Sequence, residues 1–281
     1  MKLRSRVVFC MAHQGGGVDR AVRAFFIACA VSAILTHGFS HAQEWKELKG
    51  DHFIVSYVSD EEFAEEILRN AERHYQEIAS DLGYQRYSDF WTWEKRVKII
   101  LYPDKESFLK ATNQMKWSEG MADYLTKRII SYQGSARFIE SILPHEMAHL
   151  IFRDYVGFTG EVPLWIDEGV AQWMEREKRP LVFGASRELL GGSRQIPIKR
   201  LTELDIREVK EQGQVTAFYL EAVSLVGFLI EQYGSDRFVA FCRQLRDGKS
   251  LNEALRFAYP TAIRSVNDLE AGWKRFIGIA D

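Results

Sequence analysis

Cysteine is scarce in this chain, with three in 281 residues, too few for a disulfide-stapled scaffold. An excess of one charge is also missing. Lys and Arg number 37 against 39 Asp and Glu, a net charge of -2. No basic field is available to hold a polyanion, so nucleic acid is not an expected partner. No internal repeat and no low-complexity tract interrupts the chain, which leaves out repeat architectures. What is present is an ordinary globular mixture, 46% hydrophobic and 27% charged. That excludes a wholly disordered chain and a polytopic membrane protein. The length suits one large domain or two small ones. Histidines number only seven, so any signal they carry lies in their placement.

The N-terminus reads as an export signal. Lys2, Arg4, Arg6, Arg20 and Arg23 form a basic region, and Ala24–Leu35 then runs without charge. That run is short for a bilayer span. Ser40 and Ala42 set small residues three and one positions before a cut, which predicts cleavage after Ala42. An uncleaved N-terminal anchor is the alternative. Residues 1–42 carry five of the 37 basic side chains and one of the 39 acidic ones. The remainder would hold 32 and 38, a net charge of -6. Its one cysteine, Cys242, lies in an apolar pattern and reads as a buried thiol. Its histidines are His52, His74, His145 and His149.

Residues 52–58 and 96–102 read as strands rich in β-branched and aromatic residues. Residues 60–82 carry apolar positions at helical spacing and stop at Gly83. Asp104 is placed to cap a short helix through Lys110. Two extended runs, Met121–Leu125 and Arg128–Tyr132, flank Thr126 and Lys127. Beyond residue 136 the pattern is helical. Strands mixed with helices, then helices alone, give an α+β fold. The expected layout is a mixed sheet lobe over 43–135 and a helical lobe over 136–281, with a cleft between them.

The decisive segment is His145-Glu-Met-Ala-His149. Residues four apart share a helix face, so both imidazoles can reach one ion while Glu146 faces a water beside it. A surface helix bearing two solvated histidines would have charged neighbours, whereas Leu150, Ile151 and Phe152 follow here. Pro144 marks a kink or the true helix start. A zinc site needs a third protein ligand, with the fourth position left for water. Eighteen residues separate His149 from Glu168 in Leu164-Trp-Ile-Asp-Glu-Gly-Val-Ala171. That is enough to end one helix near Gly157 and return a second beside it. Asp167 is the rival ligand. Gly169 and Ala171 favour Glu168, since small residues there permit close helix approach at the metal.

This motif pair resembles the gluzincin metallopeptidases, and its spacing is similar to that of the aminopeptidase N-like enzymes. The chain is much shorter than those. It looks more like the compact bacterial peptidase MA-like domains, with a zincin-like bilobal fold. The specific match covers about residues 140–175 and extends loosely through Tyr219-x-x-x-x-Ser224 and Trp273-Lys-Arg-Phe276. The resemblance implies one zinc ion on His145, His149 and Glu168, with Glu146 as general base. It also implies an oxyanion donor from a later helix. No histidine follows His149, so tyrosine is the like candidate: Tyr219, with Tyr233 as its rival.

Gluzincins often bind peptides along an edge strand. Gly120, Met121, Ala122 and Asp123 stand 25 residues before His145, where that edge would lie. The amine-binding glutamate of the aminopeptidases is not reproduced. Asp123 approximates it or is a loop acid, so aminopeptidase and endopeptidase both stay open. The expected partner is a peptide or protein substrate, in an exported, periplasmic or extracellular setting, without stable membrane insertion after signal cleavage. The alternatives are a zinc-stabilised binding protein and a zinc hydrolase of a non-peptide amide or ester.

Overall fold

The computed structural model describes residues 44–83, 91, 95–116, 118–135, 137–158, 162–191 and 195–279. The segment read as an export signal and its expected cleavage point lie outside the described residues. A five-stranded sheet comes first, in the order β1-β2-β3-β5-β4. Its strands are β1 (Lys46–Lys49), β2 (Phe53–Tyr57), β3 (Val97–Tyr102), β4 (Gly120–Asp123) and β5 (Arg128–Tyr132). β2, β3 and β5 run parallel, while β1 and β4 pair antiparallel at the two edges. In β2 and β3 alternate residues are buried, as strand geometry requires. Phe53, Val55, Val97, Ile99 and Leu101 thereby share the inner face. β1 gave no signal in advance. Its Lys-Glu-Leu-Lys has no β-branched residue, and its pairing with β2 alone makes it a strand.

Helix α1 (Glu61–Asp81) crosses over between parallel β2 and β3. Asp60 caps it by accepting from the Phe63 N–H, and Gly83 follows in the left-handed region at φ 73°. Its buried stripe runs Ala64, Ile67, Ala71, Tyr75, Ile78 at helical spacing. His74 belongs to that stripe. The ring is buried and pairs through Nε2 with the Ile139 carbonyl at 2.9 Å. Asp104 caps α2 (Lys105–Thr112), accepting from Ser107 N–H at 2.7 Å.

From residue 138 the chain is helical. A π-helical turn (Phe138–Ile142) leads into α3 (Leu143–Val156), with Pro144 in its first turn. Proline has no N–H for the carbonyl four residues back and crowds it, and a widened turn before it accommodates both effects. Helices α4 (Leu164–Trp173), α5 (Arg179–Leu190), α6 (Ile198–Leu201), α7 (Gln212–Tyr233), α8 (Ser235–Arg246), α9 (Leu251–Ala258) and α10 (Val266–Ile277) complete the chain. One continuous cluster of buried side chains joins Phe53 and Ile99 of the sheet to Met147, Ile166, Val226 and Trp273 of the helices. Cys242 is buried within it, and burial pushes its thiol pKa far up. Among the described residues, α7 is the helix long and apolar enough to cross a membrane. Most of that apolar stretch is buried against other helices, the pattern of a core helix.

Candidate metal centre

Nearly every residue of α3 from Leu143 to Phe152 is buried, so the histidines do not belong to a solvated helix. His145 and His149 stand one turn apart, ring centroids 4.9 Å from each other. Gly157 ends α3 in the left-handed conformation at φ 83°. The chain then turns back, and α4 packs beside α3 with Glu168 facing the imidazoles. His145 Nε2 lies 3.9 Å from Glu168 Oε2. One ligand atom from each of His145, His149 and Glu168 falls within 4.8 Å of the others, and all three residues are buried.

The far side of each imidazole is fixed by a carboxylate. His145 Nδ1 lies 3.1 Å from Glu175 Oε1, and His149 Nδ1 lies 3.0 Å from Asp167 Oδ1. A carboxylate accepts, so each neutral ring donates from Nδ1 and keeps its Nε2 lone pair for the centre. Glu175 is braced by Ser141 Oγ at 2.6 Å and by Lys178 Nζ. Asp167 takes a second bond from Arg153 Nη2 at 2.5 Å. Asp167, the rival third ligand, therefore faces away from the centre and orients His149 instead. Glu175 was missed from sequence; its only signal is its place about two helical turns beyond Glu168.

The atoms that face inward have no partners. His145 Nε2, His149 Nε2, Glu168 Oε2 and both oxygens of Glu146 are buried without a hydrogen bond among the described residues. The Ala122 backbone N–H favours the Glu146 anion without reaching hydrogen-bond geometry. Buried polar atoms rarely stay unpaired, and this set has the donor chemistry of a divalent metal site. Electrostatics agree. Burial pushes Glu146 up to about 7 and Glu168 up to about 8. Burial opposes a charged His145, but the bond to Glu175 and the surrounding carboxylates outweigh it, raising the ring to about 9. Burial opposes an ionised Glu175 too, yet His145 and Lys178 bring it down to about 2. Without an ion the centre thus holds protons where a metal would bring positive charge.

Close helix approach at Gly169 is real but lies elsewhere than the sequence suggested. A Cβ there would stand 2.6 Å from the Ala222 carbonyl oxygen and 2.7 Å from Val226 Cγ2. The close crossing at Gly169 is between α4 and α7. Tyr219 lies on α7 three residues before Ala222, partly buried, with its ring edge-on to Phe218. Tyr233 packs between Phe228 and Tyr259.

β4 forms the sheet edge beside α3. Gly120 fits tightly there, since a Cβ would meet Ile142 Cγ2 at 2.6 Å. Met121 packs with Phe108 and Tyr132 beneath α2. The Asp123 carboxylate holds the β4–β5 turn, accepting from Leu125 N–H, Thr126 N–H and Thr126 Oγ1. Tyr124 follows, its ring edge-on to His149 at 5.9 Å and its face under the Arg153 guanidinium at 4.3 Å.

A family model for the peptidase MA superfamily matches residues 93–278, which takes in β3, the edge strand and every helix after α1. The chain belongs to the peptidase MA superfamily. It is a metallopeptidase-type chain with the α+β, zincin-like arrangement of sheet and helices. Members of this superfamily are typically metal-dependent, and the buried group of His145, His149 and Glu168 can hold a metal here. A search of curated proteins returns no match.

Proposed function

We propose that this chain is an exported zinc-dependent peptidase of gluzincin type, hydrolysing peptide bonds with Glu146 as general base. The observation that carries the reading is the set of inward ligand atoms on His145, His149 and Glu168, left without partners while carboxylates hold the opposite nitrogens of both rings. Two imidazoles and one carboxylate with an open position suit zinc. When bound, zinc would supply Lewis acidity toward the substrate carbonyl and a water of lowered pKa. The protein's own residues do the rest. Glu146 is held beside the three ligands with both oxygens free, so it can take a proton from the attacking water and pass it to the leaving amine. A pKa near 7 suits a group that must both accept and release that proton. Tyr219 on α7 is the tyrosine proposed to steady the developing oxyanion.

The substrate would lie along β4, adding a strand beyond Gly120, Met121, Ala122 and Asp123. With Asp123 engaged in the turn, the strand carries no acid for a free α-amine, and this favours cleavage within a chain over removal of its first residue. The N-terminal basic and apolar segment supports export to the periplasm or beyond.

The test is metal content of the mature protein joined to a peptide-library digest read by mass spectrometry. Stoichiometric zinc and cleavage abolished by chelator are expected. Glu146→Gln should keep the zinc and lower turnover by at least ~100-fold. Bound zinc with no cleavage of any library member would overturn the peptidase reading, leaving a metal-stabilised binding protein or a hydrolase of another bond.

A further inference from the structure

Tyr124 presents a hydroxyl that the architecture does not use. The residue is half-buried, whereas its hydroxyl is fully buried and has no hydrogen-bond partner among the described residues, so the side chain points inward from the surface. Two contacts hold the ring: the edge of His149 and the guanidinium of Arg153 over its face. The hydroxyl lies in the electrostatic field of Asp167, Glu146 and Glu168. None of the three is bonded to it. Asp167 is engaged by His149 and Arg153, and the free oxygens of Glu146 and Glu168 face the centre. A phenylalanine would pack against the same neighbours without burying an unpaired polar atom, so packing alone does not account for the hydroxyl.

Its position in the chain adds a second argument. Tyr124 directly follows β4, the edge proposed to pair with substrate, and Ala122 of that strand already directs its N–H toward Glu146. A carbonyl paired along that strand for attack beside Glu146 would lie on the edge that Tyr124 continues. Resting on the peptidase reading above, we infer that the Tyr124 hydroxyl donates a hydrogen bond to the substrate's carbonyl oxygen as negative charge develops on it, acting together with the donor from α7. Arg153 and His149 hold the ring in place beforehand, so little reorganisation accompanies the reaction.

The test uses the mature protein loaded with cobalt(II), whose visible spectrum reports on the site, and acetohydroxamate as a small acyl-like anion. Tyr124→Phe should bind cobalt with unchanged stoichiometry and bind acetohydroxamate about tenfold more weakly, the loss of one charge-assisted hydrogen bond. Tyr124→Leu, which removes the ring as well, should be weakened at least as much. Equal acetohydroxamate affinity in wild type and Tyr124→Phe overturns the assignment, as does weakening confined to Tyr124→Leu, which would trace the effect to the ring. Failure of the wild type to take up cobalt would overturn the metal reading and this inference with it. Cobalt uptake with unaltered acetohydroxamate binding overturns the inference alone.

Discussion

Glu221 shows how a single side chain away from the metal centre can set a property of the protein. It is fully buried on α7, its Oε1 accepts the Ile196 N–H at 2.6 Å, and its Oε2 has no partner. Burial, partly offset by the Ile196 N–H and Lys274 and reinforced by Glu270, pushes it up to about 8. The native chain therefore keeps a proton that the unfolded chain releases near pH 4.5. Stability from this group is fully present below that value and is lost as pH rises through about 8. Glu221→Gln removes the titration and keeps an acceptor for Ile196. Thermal unfolding followed from about pH 5 to about pH 9 should show a shallower alkaline decline in the variant than in the wild type. Parallel profiles would show that Glu221 carries its charge without cost. At the same scale, the shared face of His145 and His149 was plain from spacing, since residues four apart on a helix lie on one side. Glu175 and Asp167 were not, because a carboxylate that orients a ring is defined by contact across elements, not by sequence interval.

At the scale of elements, the crossing of α4 and α7 controls where Glu168 stands. Gly169 meets Ala222 and Val226, and Gly227 on the facing helix leaves room for the Trp173 ring. Gly169→Ala would press a methyl against a backbone carbonyl, with no flexible side-chain end to yield. A loss of about 1–3 kcal/mol is expected, together with weaker zinc binding because the neighbouring Glu168 must shift. Gly184 on α5 is the control. A Cβ there meets nothing within 4 Å, and Gly184→Ala should gain up to ~1 kcal/mol in helix propensity without touching metal affinity. Denaturant unfolding and zinc titration of both variants check this; equal effects would mean the crossing is loose. The small residues near Glu168 were visible in the sequence, but their partner was misplaced. A glycine announces close approach without saying from which side.

For the whole molecule, a metal held by His145, His149 and Glu168 would tie together two helices that a reversal at Gly157 sets side by side. An ion bound by α3 and α4 in the native state alone stabilises by mass action, about 3 kcal/mol at a hundredfold excess over Kd. For a chain of this size that is roughly 5–10 °C in Tm. Chelation should lower Tm by that amount and zinc should restore it. A Tm indifferent to chelator would show that the helices hold their places unaided. The sheet and the helical region share one core, so unfolding should be a single transition.

The order of strands and helices, the helix stops at Gly83 and Gly157, the caps at Asp60 and Asp104, and the two histidines flanking Glu146 all follow from local rules of spacing and backbone freedom. These acted on neighbours in the chain and needed nothing else. β1, the π turn before Pro144 and the burial of His74 came from tertiary structure, because each depends on a surface that another element supplies. So did the carboxylate behind each imidazole and the inward hydroxyl of Tyr124. Spacing along the chain made the pair of histidines legible, and only packing across it decided what holds them and set Glu168 beside them.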